Sequence, residues 1–299
     1  MILGFPKEVV KNEQRFALNP KIAKKYVEKG FVLLIESGAA EECNIDDSEF
    51  IESGAQIVSS SNQIFERADV VIRFHPLQKH EFELIKNKST YISLCQPTRE
   101  IDMIKLFLEK KVTGFSMHLI PRSTLAQTMD ALSSQANIAG YKAVLVGSCH
   151  LNKYMPLLMT AAGTIKPARV LIIGAGVAGL QAIATAKRLG ARVEAFDVRP
   201  EVKEQVESLG ATFIEVSLDS NQNSDSGGYA KEVSEDYKKK QNELICEKLK
   251  KIDLLITTAL IPGKDAPILI SKDMVSIMKR GAVIMDLAAE NGGNCELTK

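Results

Sequence analysis

The 299 residues are 45% hydrophobic and 25% charged, and 38 basic against 37 acidic side chains leave a formal net charge of +1. These proportions fit a globular chain long enough for two domains with separate cores. They exclude the strongly basic footprint of a nucleic-acid or anionic-membrane binder. The apolar start of MILGFPKEVV is too short for a signal-peptide core. No run of eighteen apolar residues marks a spanning helix, so any membrane work falls to something attached to the chain. Cys43, Cys95, Cys149, Cys246 and Cys295 are scattered without a Cys-x-x-Cys pair, which predicts free thiols. His75, His80, His118 and His150 show no ligand spacing, so no metal is expected.

Short β-branched runs alternate with longer helical patterns. In chain order the strands are expected at Ile2–Gly4, Val32–Ile35, Val70–Arg73, Tyr91–Leu94 and Val112–Phe115, then Val170–Ile173, Arg192–Phe196, Thr212–Ile214, Leu254–Thr258 and Val283–Asp286. Apolar residues recur at helical spacing between most of them, as at Ile101, Ile104 and Leu108. The alternation predicts an α/β protein of two doubly wound, parallel-sheet (Rossmann-like) domains with a cleft between them. The division is expected within 127–164, a stretch that reads as one or two helices, giving domains 1–143 and 144–299. The polar segment DSNQNSDSGG (219–228) cannot bury enough surface to order itself. It reads equally as a functional lid or as flexible filler, followed by a charged helix from about Lys231 to Lys251.

The run RVLIIGAGVAGLQAIATAKRLGARVEAFDVR holds Gly174-x-Gly176-x-x-Gly179 between an apolar strand and a helix, with a second strand ending at Asp197. Gly174 permits the tight turn, Gly176 lets the backbone approach a pyrophosphate, and Gly179 lets helix and strand pack closely. The helix N-terminus offers unpaired N–H groups to phosphate. Asp197 can accept hydrogen bonds from both adenosine ribose hydroxyls and repels a 2′-phosphate, so NAD(H) is favoured over NADP(H). The alternative is a glycine turn with an incidental aspartate, but strand, turn, helix, strand and acid in register argue against it. Arg199 could meet a 2′-phosphate, although a solvated cation beside Glu201 is the simpler expectation.

Beyond the fingerprint, DVRPEVKEQVESLGA (197–211), GGYAKE (227–232), TTALIPGKDAP (257–267) and MDLAAENGGNCE (285–296) follow in order. With RSTLAQTMDALSSQANIAGYKAV (122–144) and GFPKEVVKNEQRFALNP (4–20), they resemble the NAD(H)-binding domain I of proton-translocating transhydrogenase. That domain lies in the superfamily shared with alanine dehydrogenase, and the resemblance runs across essentially the whole chain. It implies hydride exchange between NAD(H) held here and NADP(H) held on a separate domain III, coupled to proton movement by a membrane domain II. It also implies a homodimer and a soluble domain peripheral to a membrane, on the bacterial cytoplasmic or mitochondrial-type matrix side. A nicotinamide loop is placed at Arg122, Gln127 and Asp130, where Arg122 and Asp130 can pair and Gln127 offers both a donor and an acceptor. Read from spacing alone, Thr124-x-x-Gln127 is a capping box. Val177, Ala178, Val198, Arg199, Thr258, Ala259, Leu260 and Glu290 are implied cofactor neighbours beside the three glycines and Asp197. Tyr229 would tip a loop at 227–231 that closes over NAD(H), or be an exposed tyrosine in a flexible turn.

Two departures stand out. Glu290-Asn291-Gly292-Gly293 replaces an expected glutamate–glutamine–glycine–glycine, and the resemblance implies residues past Lys299 that complete the first domain. The rival within the superfamily is alanine dehydrogenase, which shares the opening with Arg15. Its chemistry needs a lysine near Arg73–Pro76 and a histidine in the Tyr91–Leu94 strand, where Ser93 stands. Glu290 also replaces that family's aspartate, and His75 is expected at the surface. A non-catalytic NAD(H)-binding module is the third reading, since hydride transfer requires no acid–base group, only positioned nicotinamides.

Overall fold

The computed structural model describes residues 1–121, 123–215, 235–261 and 263–299. It forms two compact units, Met1–Leu132 and Ser133–Lys299. The 143/144 division read from the sequence falls inside the helix Ala131–His150.

In the first unit β1 (Ile2–Phe5), β2 (Val32–Glu36), β3 (Gln56–Val58), β4 (Val70–Ile72), β5 (Thr90–Ser93) and β6 (Thr113–Ser116) form one parallel sheet in the order β3-β2-β1-β4-β5-β6. Alternate side chains fill two cores: Leu33 and Ile35 join Leu3 and Phe5 on one face, while Leu34 joins Val71 and Tyr91 on the other. Burial on both faces is what makes parallel strands near-continuous apolar runs. The helix Pro20–Glu28 starts where Asn19 accepts from the Ile22 N–H at 2.9 Å and Pro20 stands at the first turn, two start signals written in the sequence.

The second unit carries β7 (Leu158–Thr160) and β8 (Gly163–Ile165) as an antiparallel hairpin. Its main sheet is β9 (Arg169–Ile173), β10 (Arg192–Phe196), β11 (Thr212–Ile214), β12 (Leu254–Thr257) and β13 (Val283–Asp286), parallel, in the order β11-β10-β9-β12-β13. Val170, Ile172, Val193 and Ile256 face one core, and Leu171, Ile173, Phe196 and Leu255 the other. Both units are thus doubly wound, and every expected strand forms within a residue or two of its predicted ends.

Three strands were not anticipated. β3 is a three-residue edge strand, too short for a period-2 signal. β7 and β8 correct the expectation of helix through Thr164: only Ala131–His150 is α-helical there. Pro156 and a Gly163 at φ +137° punctuate the chain beyond it. The later charged helix is described over Glu235–Leu249.

The helix Ala131–His150 crosses the start of Val177–Arg188 with backbone nearly touching backbone. A Cβ on Gly140 would stand well inside 3.0 Å of the Ala178 carbonyl oxygen. Gly140→Ala is therefore expected to destabilise by about 2 kcal/mol or more through overpacking, outweighing the ~1 kcal/mol helix-propensity gain of alanine over glycine. A urea midpoint equal to or above that of the unmodified protein would contradict this.

Candidate functional site

The order of the second sheet reverses direction between β9 and β12, and in such sheets ligands sit beyond the carboxyl ends of the strands at that switch point. At this point β9 ends in the glycine turn. Gly174 takes φ +100° and donates its N–H to the Phe196 carbonyl at 2.8 Å. A Cβ at Gly179 would collide with the Gly174 carbonyl oxygen, and one at Gly174 with Thr258 Oγ1. Around Gly176 nothing lies within 4 Å of an added Cβ, so this glycine faces open space in which a side chain would compete with a ligand. Gly176 is also the N-cap of the helix Val177–Arg188, and no side chain caps it. The N–H groups of Val177, Ala178 and Gly179 thus have no partner within the helix and carry the positive end of its dipole.

Asp197 follows the end of β10. Its Oδ2 accepts from the Ala175 N–H at 2.7 Å, which fixes the middle of the glycine turn. Arg199 grips the same carboxylate with its backbone N–H (2.9 Å), Nε (3.0 Å) and Nη2 (3.0 Å). Burial opposes ionisation of Asp197, but the Arg199 and Ala175 bonds outweigh it and hold the carboxyl below its usual range. The acid is thus charged, oriented and adjacent to the turn. Arg199 is not the solvated cation expected beside Glu201; it is half-buried and chelates Asp197. Val198, half-buried between them, packs on the apolar cluster around Phe196.

The opposite lip is the segment leaving β12. Thr258 donates its N–H to the Ile173 carbonyl (2.9 Å) and its Oγ1 to the Gly174 carbonyl (3.1 Å), tying the lip to the glycine turn. Ala259 has both backbone groups taken by Asn294, so its contribution to a ligand is contact rather than hydrogen bonding. Leu260 is exposed. Asn294 and Asp286 were missed in the sequence. Asp286, at the end of β13, accepts from Thr257 Oγ1, Thr298 Oγ1 and the N–H groups of Ala288, Asn294 and Cys295. The signal that could have found them is an acid ending a strand beside the last lip, followed by two consecutive glycines. Gly292 and Gly293 take φ +96° and +84° and reverse the chain so that Asn294 returns under Ala259. Glu290 is exposed in the short turn Ala289–Asn291. Asn291 makes its contact through backbone, its carbonyl accepting from the Ala266 N–H at 2.7 Å. That bond does not depend on the length of the amide side chain.

Gln127 and Asp130 belong to the first unit. Gln127 is exposed at the start of a 3-10 turn, Gln127–Met129, whose N-cap is Ala126 with no side-chain cap; the capping box with Thr124 does not form. Asp130, half-buried, closes that turn. Arg122, with its expected pairing to Asp130, and Tyr229, with the loop at 227–231, lie outside the described residues.

The positions on which alanine dehydrogenase chemistry would depend are committed elsewhere. Arg73 is buried and bound by both oxygens of Glu81 at 2.8 and 2.7 Å. His75 is not a surface histidine: half-buried, it places Nε2 2.6 Å from Glu13 Oε2. Glu13 also chelates Arg15, whose guanidinium lies 4.7 Å from the centre of the Phe74 ring. Arg15 lowers the Glu13 carboxyl to about 2. Ser93 is buried. Among the described residues no cluster of His, Cys, Asp and Glu is placed to hold a metal, and no helix is long and apolar enough to cross a membrane.

A glycine turn, an uncapped helix start and a chelated acid at the switch point of a doubly wound sheet define a Rossmann-type protein with a dinucleotide fingerprint. Residues 4–139 match the model for the alanine dehydrogenase/PNT N-terminal domain and residues 143–299 that for its C-terminal domain. The chain belongs to the alanine dehydrogenase/PNT family. It is similar to the first of the separately encoded pieces of the NAD(P) transhydrogenase alpha subunit of Rhodospirillum rubrum, with 46% identity over 305 residues covering the whole chain and 79% of that protein. The crystal structure of transhydrogenase from Sinorhizobium meliloti superposes with a TM-score of 0.88 at 39% identity, over the whole chain and 82% of that structure. An alanine dehydrogenase of Staphylococcus saprophyticus is 30% identical over 302 residues, covering the whole chain and 75% of that protein. Identity is thus higher to the transhydrogenase proteins.

Proposed function

We propose that this chain is the NAD(H)-binding component of a proton-translocating transhydrogenase, and that it presents NAD(H) to NADP(H) held by a partner domain III beside a membrane domain II. The observation that carries the reading is the charged Asp197 carboxylate bound to the Ala175 N–H of the glycine turn, in a chain whose identity is higher to transhydrogenase alpha subunit than to alanine dehydrogenase. The residues fit the cofactor. The open side of Gly176 and the N–H groups of Val177, Ala178 and Gly179 suit a pyrophosphate, and Asp197 suits a ribose 2′-hydroxyl. When bound, the nicotinamide supplies or accepts the hydride. The chain's own task is binding and orientation, with no proton to be moved by a side chain.

Gln127 is proposed to orient the nicotinamide, with Asp130 and Arg122 fixing its loop, and Tyr229, Leu260 and Glu290 to border the cofactor. A homodimer at the membrane surface completes the proposal. Autonomous domains are proposed at 1–143 and 144–299, with residues beyond 299 completing the first.

Titration with both cofactors tests the binding role: NADH should bind well and NADPH poorly, and equal affinities would overturn the assignment. With pyruvate, ammonium and NADH no alanine should form, because Arg15 and His75 are both engaged by Glu13. For the nicotinamide loop, Gln127→Asn should slow hydride exchange about 10–100-fold, as small misplacements do, with little change in NADH affinity. A variant that exchanges normally would remove Gln127 from the site.

A further inference from the structure

The segment that leaves β12 has to stand opposite the glycine turn, yet as a loop it has no ladder of its own to hold it. Thr258 fastens one side to Ile173 and Gly174. The other side hangs on a single side chain. Asn294 is fully buried; its Oδ1 accepts from the Ala259 N–H at 2.9 Å and its Nδ2 donates to the carbonyls of Ala259 (2.8 Å) and Pro267 (2.9 Å). Its own N–H goes to Asp286 Oδ2 at 2.7 Å, and its carbonyl accepts from the Leu269 and Ile270 N–H groups. One amide side chain thus reads both backbone groups of Ala259, while its own backbone is fixed at the head of β13. Only a primary amide supplies an acceptor and two donors in this arrangement; a carboxylate would face two carbonyl oxygens, and an alanine would leave three buried groups unpaired.

We infer that Asn294 is a positioning residue of the dinucleotide site: it sets the Thr258–Leu260 lip against the glycine turn, and NADH affinity depends on it although it lies beneath the site. The inference rests on the reading of this site as the NAD(H) site. It also accounts for Gly292-Gly293, since no side chain at Gly293 could clear Thr298 and Asp286 Oδ2, 2.7 and 2.8 Å from an added Cβ.

The test compares Asn294→Ala and Asn294→Asp with Asp253→Asn. Asp253 is a comparable polar anchor at the opposite end of β12, held by Lys153 and Lys279 at 2.7 Å each. All three substitutions should lower the melting temperature. The two at Asn294 should also raise the NADH Kd of the folded protein about tenfold or more, whereas Asp253→Asn should leave it unchanged. The chain has no tryptophan, so bound NADH can be followed by its own emission. If neither Asn294 variant folds, hydrogen exchange of the unmodified chain decides: the Ala259 N–H should be as protected as those of β12, and fast exchange there would overturn the inference. Asn294 variants that melt earlier but bind NADH normally would make the residue purely structural and overturn it alone. Failure of the unmodified chain to bind NADH would overturn the site reading as well.

Discussion

Gly179→Ala is expected to abolish measurable NADH binding and to destabilise the second unit by about 3 kcal/mol or more. Overpacking of a core side chain costs ~1–3 kcal/mol when neighbours can shift, but the atom met here is the Gly174 carbonyl oxygen, which is main chain. Relief would require the helix Val177–Arg188 to back away from β9, and that movement withdraws the N–H groups proposed to face the pyrophosphate. Stability and affinity should therefore fall together. Gly176→Ala separates them, because its Cβ meets nothing in the unliganded protein: folding should be preserved while NADH binding is lost. Calorimetric melting paired with NADH titration checks both, and a Gly179→Ala protein that binds NADH normally would show the turn is not the phosphate cradle.

Asp197→Ala should weaken NADH binding about 10–100-fold and largely erase the preference over NADPH. Hydrogen bonds to a charged acceptor contribute roughly 1.5–3 kcal/mol, and about 1.4 kcal/mol is a factor of ten in affinity. Two further effects point the same way. The Ala175 N–H loses its acceptor, so the glycine turn loosens. Arg199 loses the carboxylate it chelates and becomes available to a 2′-phosphate, so NADPH affinity should rise in absolute terms. In the unmodified chain the same chelation gives Arg199 a cost for turning outward, which strengthens the discrimination. Asp197 titrates below the usual carboxylate range; its ionised form is therefore kept as pH falls through ~4, and the NADH preference should persist at pH ~5. A preference unchanged in Asp197→Ala would place cofactor choice elsewhere.

The parallel sheets were legible because strands buried on both faces are written as compact apolar runs: Val170–Ile173 and Leu254–Thr257 could be little else. The glycine turn was legible because each glycine answers a separate steric demand, later visible as collisions at Gly174 and Gly179 and open space at Gly176. What could not be read was polar wiring at long sequence separation. Asn294 reaches Ala259 across 35 residues, and nothing local to either distinguishes it from a surface asparagine. Arg199 and His75 were misread for a related reason: each looked like a solvated cation because its partner, Asp197 or Glu13, is decided by how loops fold back. The hairpin β7–β8 failed differently, its three-residue strands being too short to show a period against the neighbouring helix.

The central claim is that this chain orients one dinucleotide toward another held by a partner. The most direct measurement mixes the full protein with a transhydrogenase domain III carrying NADP(H), NADH and a nicotinamide-analogue dinucleotide, and follows reduction of the analogue. Rapid exchange is expected, passing through the bound NADP(H), absent when domain III is omitted, and slowed in Gln127→Asn. No exchange despite saturating NADH binding would make the chain a binding module rather than half of a hydride-transfer site.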